Sequence, residues 1–312
     1  MSISTQRILP VALLAALLAA VALVTPLAAQ NSSFDPANPA PTMGTEGEIK
    51  IFHLGPYTIP AGRVVNGRTL PGELNQFLNV PAMGDGFMTG FDSRIIDSAR
   101  VPVNAVELYL HHAVFINRRA TDLTCSFIGG ERFAAAGAER IPFALPQGYG
   151  YRLRSTDTYL CNLHMQNFTL QAQTVYYQYS MTIEAASMPL IEVRPWWTDI
   201  VNCNSSYNVP PGTGTDVRQT DYTVGTRMTI LTAGPHLHCG GTRLQFLNKS
   251  AGNTTIFDWS NTNCPVQMST SRPNPPLVLN PGTVVTIKAT YQQHPTDELD
   301  AMGIVLAYVV LG

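Results

Sequence analysis

The chain has 312 residues, of which 13% are charged, and its formal net charge is −2 at pH 7. A charge balance this close to neutral excludes the basic footprint of a nucleic-acid-binding protein and offers no attraction to an anionic lipid surface. The 24 glycines and 23 prolines favour a turn-rich β protein over a helical one.

The first 29 residues have the pattern of a secretory signal peptide. Arg7 precedes an apolar run over Ile8–Leu27, and the small residues Ala28 and Ala29 follow it. A basic start, an apolar middle and a small-residue exit predict cleavage near Ala29 and a secreted, extracellular protein. The alternative is an uncleaved anchor, because the apolar run approaches spanning length. After cleavage we expect no membrane partner.

Residues 30–48 are polar and proline-rich without periodicity, which predicts a flexible linker. From Ile49 onward, short alternating runs rich in β-branched and aromatic residues are separated by Gly, Pro, Asn and Asp. This period of two predicts an all-β fold of two consecutive antiparallel β-sandwiches of the jelly-roll type. Only Arg132–Ala138 has helical character. The clearest predicted strands are Glu107–Ile116, Thr174–Ile183, Gly282–Tyr291 and Gly303–Leu311.

A domain boundary is predicted near Met188–Pro195, where a strand ending at about Ile183 gives way to a proline-containing segment. The division gives an N-terminal sandwich over residues 49–188 and a C-terminal sandwich over residues 189–312. We expect each sandwich to bind one metal ion.

Cysteines and sequons also fit an exported chain. An odd number of cysteines predicts disulfides with one thiol left over. Cys125 and Cys161 are the predicted pair in the first half, and the choice among Cys203, Cys239 and Cys264 stays open. Glycans are expected if the chain passes through a eukaryotic secretory pathway, and the sequons start at Asn31, Asn167, Asn204, Asn248 and Asn253.

Histidines are few, yet five of the seven fall into three compact groups. His236 and His238 are two residues apart in an extended run, so their imidazoles lie on one face of a strand and can close on one metal ion. His111 and His112 are adjacent, so both can bind one metal only across a bulge or twist. Both pairs stand in apolar strands, where an uncoordinated imidazole is costly unless it is hydrogen-bonded.

The ligand types bear on the metal. Imidazole suits zinc, copper, iron and nickel, whereas a thioether favours copper(I). Met302 is the best-placed thioether, with core packing as its alternative role. No Asp or Glu lies beside either pair in a metal-ligand pattern, which disfavours an iron site of two histidines and one carboxylate. The remaining histidines, His53 and His294, are expected to be partly exposed polar residues.

At these residues the chain resembles the copper type II, ascorbate-dependent monooxygenases, the family of peptidylglycine α-hydroxylating monooxygenase and dopamine β-monooxygenase. That family has a His-His pair, a third histidine, a His-x-His and a methionine in this order. The ordered match covers roughly Ile51 to Leu311, and a run over Arg132–Tyr151 also resembles the family. The matching ligand segments are Leu110–Ala113, Asn162–Met165, Pro235–Gly241 and Asp300–Gly303.

The resemblance implies two copper ions, ascorbate as the electron donor and O2 as a co-substrate. One copper would be held by His111, His112 and His164, and would pass on an electron derived from ascorbate. The second copper would bind O2 and lead to hydrogen abstraction from a substrate C–H bond. Its expected ligands, which form the predicted catalytic group, are His236, His238 and Met302.

The positions at which the sequence differs from the family narrow the range of expected substrates. The methionine segment lacks the usual glutamate, and Asp297–Leu299 offers a second register without a thioether. Gly234 replaces an arginine that binds the substrate carboxylate in the peptide-amidating members, and Ile304 and Leu306 replace their Asn and Tyr. We therefore expect a monooxygenase that hydroxylates a small or apolar substrate. The alternatives are a non-enzymatic, secreted copper-binding or structural β-sandwich protein and, as a third class, a zinc-supported sandwich.

Overall fold

Strands form nearly all the regular structure of this chain. The structure is a computed structural model that describes residues 47–65, 67–137, 142–204, 206–261, 268–296 and 299–312. The predicted signal peptide and almost all of the predicted linker lie outside the described residues. The last linker residue, Glu48, begins the first strand.

Short turns connect the strands in both halves of the chain. The first-half strands are β1 (Glu48–Ile59), β2 (Arg63–Val65), β3 (Arg68–Leu70), β4 (Gly72–Val80), β5 (Gly86–Ile96), β6 (Leu108–Asn117), β7 (Glu131–Ala136), β8 (Phe143–Ala144), β9 (Tyr149–Leu153), β10 (Tyr159–Asn167), β11 (Gln173–Ala185) and β12 (Ile191–Glu192). The second-half strands are β13 (Arg194–Asp199), β14 (Tyr207–Val209), β15 (Thr215–Thr223), β16 (Met228–Leu237), β17 (Gly241–Asn248), β18 (Thr254–Ser260), β19 (Leu277–Leu279), β20 (Val284–Gln292), β21 (Leu299–Ala301) and β22 (Gly303–Leu311). Two 3-10 helices span Ser126–Ile128 and Lys249–Ala251.

The prediction of an all-β chain is confirmed, because no α-helix occurs among the described residues. The predicted strand Gly303–Leu311 is β22, and Glu107–Ile116 is β6 within one residue at each end. The prediction of helical character at Arg132–Ala138 is wrong, because β7 occupies residues 131–136 and pairs antiparallel with β6. The alanines favour a helix locally, but pairing with β6 satisfies the backbone of the segment and overrides that preference.

Two larger sheets form in the first half. Their strand orders are β1-β11-β5-β9-β12, with β8 beside β5, and β4-β10-β6-β7. Aromatic side chains join the two sheets, because the Phe115 ring of β6 lies 5.3 Å from Phe91 of β5 and 4.7 Å from Tyr179 of β11. All three rings are buried. Aromatic rings bury large apolar areas, so this contact forms the centre of the first hydrophobic core.

The second half repeats this plan with different strand orders. Its larger sheets are β13-β22-β16-β19 and β15-β20-β17-β18, and β14 pairs with β21. Trp196 of β13 meets Phe246 of β17 with 5.6 Å between ring centroids. Both rings belong to a second core cluster of buried side chains. The second core cluster therefore draws its side chains from both larger sheets of the second half.

Strand β22 is buried on both faces. Met302, just before it, and the even-numbered residues Ile304, Leu306 and Tyr308 pack with the first core, whereas Val305 and its odd-numbered neighbours pack with the second. Successive side chains of a strand point to opposite faces, so a strand between two cores must be apolar throughout. This explains why the sequence of β22 is a continuous apolar run and not an alternating one.

The strand pairings stay within each half of the chain. Every strand pairing joins strands on the same side of Val193. Pro41–Gly312 nevertheless form one compact unit, and the other unit, Met1–Ala40, lies outside the described residues.

The disulfide pairing differs from the predicted one. Cys125 is bonded to Cys203, which joins the first half to the second, and Cys161 is a buried free thiol. The prediction of a Cys125–Cys161 bond is therefore wrong. Cys161 lies within β10 with its side chain in the first core, where burial raises the pKa of the thiol. Cys239 is also disulfide-bonded, and Cys264 lies outside the described residues.

Two observations concern the predicted export. Among the described residues, no helix has the length and hydropathy needed to cross a membrane. The sequon at Asn167 is not available to a glycan, because its side chain is fully buried and its Nδ2 donates to the carbonyl oxygens of Pro60 and Gln171 at 2.9 and 2.7 Å. Asn204 and Asn253 are exposed, and Asn248 is half-buried.

Candidate metal centre

Two paired strands of the first half carry three of the predicted ligands. In the β6–β10 pairing His112 lies opposite His164, and the next pair is Leu110 with Met165. The register skips His111, so β6 has a bulge at this residue. The ring centroids of His111 and His112 lie 4.2 and 5.3 Å from that of His164. The strand thus has the irregularity that an adjacent pair of ligands requires.

The second half carries the other three predicted ligands. His236 belongs to β16 and His238 follows the end of that strand, with 5.2 Å between the ring centroids. Met302 lies between β21 and β22 and is buried. Because β16 pairs with β22, with His236 opposite Ile304, the methionine lies at the same end of the ladder as the two histidines.

The two groups meet across the two halves. The ring centroids of His111 and His238 are 4.2 Å apart, which equals the separation of His111 from its own partner His164. The sequence predicted two groups in two domains without fixing their separation, and the structure brings them into contact. We call the five residues the histidine cluster: His111, His112, His164, His236 and His238.

Asp300 contacts histidines from both halves. Its Oδ2 lies 3.1 Å from Nε2 of His111 and 3.3 Å from Nδ1 of His238. Nδ1 of His238 also lies 3.0 Å from the backbone oxygen of Asp300. Metal-ligating histidines usually donate their other ring N–H to a carboxylate or carbonyl. The contacts with Asp300 therefore leave Nε2 of His238 for a metal. Nδ1 of His111 lies 3.1 Å from Nδ1 of His112, so these two nitrogens would converge on one ion of the first group.

Sequence reasoning missed this role of Asp300. No acidic residue lies beside either histidine pair along the chain, but Asp300 lies beside both His111 and His238 in space. Its position two residues before Met302, inside a segment already matched to the family, was the available signal. Asp297 and Glu298, the second register, lie outside the described residues.

The histidine cluster is electrostatically suited to metal ligation. Burial and the neighbouring imidazoles lower the pKa of His112 to about 2. Burial also lowers the pKa of His111 and of His238, although Asp300 opposes the shift. The Asp300 side chain is 47% exposed, and hydrogen bonds from the two histidines outweigh its partial burial and hold the pKa of its carboxyl well below the usual range. Neutral imidazoles beside a carboxylate are the protonation states that a metal needs.

Buried ring nitrogens provide a direct test of fit. Nε2 of His112, His164 and His238 are buried and have no hydrogen-bond partner among the described residues. The nearest carboxylate to His164 Nε2, that of Glu73, is 3.6 Å away, too far for a hydrogen bond. Unpaired buried polar atoms cost stability and are often explained by an ion. Two sets of ligand atoms lie within 4.8 Å of one another: His111 with His112 and His164, and His111 with His238 and Asp300.

Tyr291 of β20 fixes the backbone of two second-half ligands by hydrogen bonds. Its hydroxyl accepts hydrogen bonds from the backbone N–H of His238 at 2.9 Å and of Met302 at 3.1 Å, and it donates to the Met302 carbonyl. The side chain is fully buried, and burial raises the pKa of its hydroxyl. The Tyr291 hydroxyl therefore joins the backbone of His238 to the backbone of Met302 and keeps these two predicted ligands close together.

A cavity of about 300 Å³ lies beside the histidine cluster, between the two halves. Strands β6, β7 and β10 form one wall, and β16, β22 and Trp197 of β13 form the other. His112, His236 and Met302 line the cavity. So do Gly234, Ile304 and Leu306, which are three of the positions at which the sequence differs from the family that it resembles.

Comparisons with known proteins add little to this geometry. No protein-family model matches the chain, and a search of curated proteins finds no match. Among solved structures, the chain is weakly similar to the VP2 subviral particle of infectious bursal disease virus. The TM-score is 0.23 and the identity 10%, over 86% of this chain and 73% of that one. A likeness at this level supports no conclusion about fold or function.

Proposed function

We propose that this protein is a copper-dependent monooxygenase that hydroxylates a C–H bond of a small substrate. One atom of O2 enters the C–H bond to give an alcohol and the other leaves as water. The reaction consumes two protons and two electrons, and ascorbate supplies the electrons. Copper, when bound, supplies the one-electron chemistry with O2 that protein side chains lack.

The observation that carries the proposal is the convergence of the histidine cluster. Five of the chain's seven histidines come from strands far apart in sequence and meet at one buried place beside a cavity. A chance set of structural histidines would be expected to find hydrogen-bond partners, whereas three buried ring nitrogens here have none. The imidazoles and the nearby Met302 thioether are donors that suit copper.

The proposed ligands divide into two groups. His111, His112 and His164 would hold one copper, and the second would be held by His236, His238 and Met302. The second group is the one proposed to be catalytic, because two of its three members, His236 and Met302, line the cavity, whereas only His112 of the first group does. A soft thioether favours the reduced form of copper, which is the form that reacts with O2.

The chain's own residues position the reactants. Asp300 accepts N–H hydrogen bonds from His111 and His238 and so fixes which ring nitrogen of each faces the metal. Tyr291 fixes the backbone of His238 and Met302. The apolar walls of the cavity exclude water from the substrate, which protects the reacting centre from side reactions.

We further propose that the paired sheets of each half are β-sandwiches, over residues 49–188 and 189–312. Aromatic contacts between the sheets of each half support this arrangement. We also propose that the protein is secreted. The N-terminal sequence pattern and the disulfide between Cys125 and Cys203 support secretion, because disulfides persist in oxidising compartments.

The alternative function is non-enzymatic copper binding. It is favoured by one observation, the short distances among His111, His238 and Asp300. These three donors come from both halves, so a single ion bound among them would act as a structural link and could leave no position for O2. Zinc would fit the same donors and would show no redox response.

Metal content and oxygen uptake distinguish these functions. The mature chain is loaded with copper, and bound copper is measured per chain. Oxygen uptake with ascorbate is then followed with apolar and phenethylamine-like compounds. We expect two coppers per chain and substrate-dependent uptake, which is lost in His236→Ala and Met302→Ala. His53→Ala is the matched control, because His53 lies in β1 and contacts Gln178 at 3.1 Å, away from the cluster.

One copper per chain without coupled oxygen uptake would contradict the monooxygenase and favour the binding protein. Occupancy by zinc from the native source, with no redox response, would favour the third class. Uptake that persists in Met302→Ala would remove the thioether from the proposed catalytic group.

A further inference from the structure

We infer that the cavity beside the histidine cluster binds an uncharged small molecule with an apolar body and one hydrogen-bond donor, which Asn162 accepts. The inference rests on the proposed function and names the class of its substrate. It excludes carboxylates and protonated amines as preferred ligands.

The cavity walls select for an apolar body. Phe143 and Tyr308 line it with 5.1 Å between their ring centroids, and Trp197 lines it from β13. The Tyr308 hydroxyl is already used, because it donates to the Phe133 carbonyl at 2.8 Å. Phe77, which is 65% exposed, places a further ring at the edge of the cavity. Aromatic walls of this kind favour ligands with apolar or aromatic surface.

The cavity offers no free charge to an ionic ligand. Arg132 is the only lining residue with a permanent charge among those that the structure describes. Its guanidinium is bound by Asp122, with Nε to Oδ2 at 2.8 Å and Nη2 to Oδ1 at 3.2 Å, and lies over Trp197. The pair is nearly buried and its charges compensate each other. The side chains of the cavity would give a charged ligand no counter-ion in return for the hydration that it loses.

Asn162 supplies the one unsatisfied acceptor. Its Oδ1 is buried and has no hydrogen-bond partner in the described part of the chain. Asn162 lines the cavity from β10, opposite Val114, which also lines it. It is two residues before His164, so both side chains leave the same face of the strand. A ligand hydroxyl or amide N–H would satisfy this acceptor close to the histidine cluster.

The cavity volume limits the size of the ligand. About 300 Å³ is the low end of the range of ligand pockets, roughly 300–1,000 Å³. At about 30 Å³ per liquid water, it corresponds to roughly ten waters. A single substituted aromatic ring fits this volume, whereas a peptide does not.

A matched series of probes tests the inference. 2-Phenylethanol, propylbenzene, phenethylamine and phenylacetate each carry a phenyl ring on a short alkyl chain. They differ in the end group, which is a neutral donor, a methyl, a cation and an anion. Binding to the full mature chain is measured by calorimetry at neutral pH without ascorbate, so that no turnover occurs. We expect 2-phenylethanol to bind about fivefold more tightly than propylbenzene, from one net hydrogen bond. Both ions are expected to bind at least roughly 100-fold more weakly than the alcohol.

Two sets of variants locate the binding. Asn162→Leu should abolish the preference for the alcohol over propylbenzene while leaving propylbenzene binding unchanged. Gly234→Arg adds a cation, and a Cβ at this glycine meets only Thr270 Cγ2 at 3.6 Å, an ordinary contact. Gly234→Gln is the matched neutral control of similar length. The arginine variant should bind phenylacetate at least tenfold more tightly than the glutamine variant.

Equal binding of phenethylamine or phenylacetate and 2-phenylethanol by the unchanged protein would overturn the inference. So would failure of all four probes to bind. Failure of the proposed function is a separate result, since it would appear as absent oxygen uptake while the binding series remained intact. Oxygen uptake with a charged substrate would sustain the enzyme and overturn only the substrate class.

Discussion

Asp300 has the largest individual role at the residue scale. It is the single carboxylate among the described residues that contacts histidines of both halves. Its effect is indirect, because it orients two imidazoles and leaves the metal to the remaining ring nitrogens. A residue of this kind is a positioning residue, and removing its charge should weaken metal binding without unfolding the protein.

We predict that Asp300→Asn lowers copper affinity by about 10- to 100-fold, the usual effect of losing such a partner. Competition titration against a chelator of known affinity measures it. Asp258→Asn is the control, because Asp258 pairs with Arg243 at an exposed site away from the cluster. Unchanged affinity in Asp300→Asn would mean that Asp300 does not orient the ligands.

A second prediction at the residue scale concerns the effect of Tyr291 on stability and copper affinity. Tyr291→Phe removes three hydrogen bonds to backbone atoms of His238 and Met302, which should cost about 1–3 kcal/mol of stability because those groups are buried. Copper affinity should fall as well. Denaturant unfolding and metal titration give the two quantities.

Tyr222→Phe is the matched control for Tyr291→Phe. The Tyr222 hydroxyl also bonds backbone atoms, the N–H and the carbonyl of Asp199, but far from the cluster. This variant should lose stability and keep its copper affinity. Equal losses of affinity in the two variants would show that the affinity change follows general destabilisation.

Sequence reasoning reached most of the candidate site at the residue scale. The strand period placed His236 and His238 on one face, and the adjacent pair His111 and His112 required the bulge that β6 has. The role of Asp300 could not be predicted, because its contact with His111 joins residues 189 positions apart. Nothing in the local pattern of either strand encodes which carboxylate faces it.

At the element scale, β7 shows why local preference fails. Its alanines favour a helix in isolation, but the segment pairs with β6 and its small side chains border the cavity.

The predicted disulfide between Cys125 and Cys161 was wrong because the fold separates the two residues. Cys125 and Cys161 are close in the sequence, yet β10 places the second of them in the core, and the partner of the first lies beyond the domain boundary.

The disulfide is expected to stabilise the junction between the halves. It closes a loop between residues 78 apart, and constraint of the unfolded chain predicts a contribution of about 2–4 kcal/mol. Cys125→Ser with Cys203→Ser should lower the free energy of unfolding by that amount in denaturant titration. Cys161→Ala, which removes a cysteine without breaking a bond, should lower it less. A double variant as stable as the parent would show that the crosslink is not a constraint.

The segment before this disulfide should respond to acid. Asp122 accepts hydrogen bonds from the backbone of Thr124 and Cys125 and from Arg132. Burial opposes its ionisation, but the Arg132 guanidinium outweighs burial and lowers the pKa of the Asp122 carboxyl. A lowered folded pKa contributes stability above the unfolded pKa of about 3.9, and that stability is lost as pH falls through the folded pKa.

We therefore expect Asp122→Asn to be less stable than the parent at pH 7, by about 3–5 kcal/mol, since Arg132 is left as an uncompensated buried charge. The difference should begin to shrink below about pH 4, where the Asp122 carboxyl of the unfolded chain becomes protonated, and should shrink further as pH falls towards the lowered pKa of the folded protein. Unfolding curves at pH 7, 5 and 3 test this. A difference that does not change with pH would assign the effect to packing alone.

At the scale of the whole molecule, the histidine cluster belongs to neither half alone. Its members come from β6 and β10 on one side and from β16 and its end on the other. The all-β class could be predicted from the strand period. The approach of the two groups could not, because no sequence pattern fixes how two sheets of different halves pack.

Metal binding should consequently stabilise both halves together. A metal at 100 times its dissociation constant adds about 2.7 kcal/mol to the stability of the state that binds it. Hydrogen exchange with and without copper should show increased protection in β6 and β10 and in β16 and β22. His164→Ala, with one ligand removed from the first half, should reduce the increase in both. Protection confined to one half would mean that the two groups act independently.

In strand β22, the effect of a substitution is expected to depend on whether the residue faces the cavity or the second core. Ile304 and Leu306 face the cavity, whereas Val305 and Ala307 face the second core. A change at an even position can therefore alter what the cavity accepts, while the alternate residues keep the strand in place. We expect related chains that retain the histidine cluster to differ in preferred substrate mainly through residues 304 and 306, which would make this one strand face the route by which such proteins diverge.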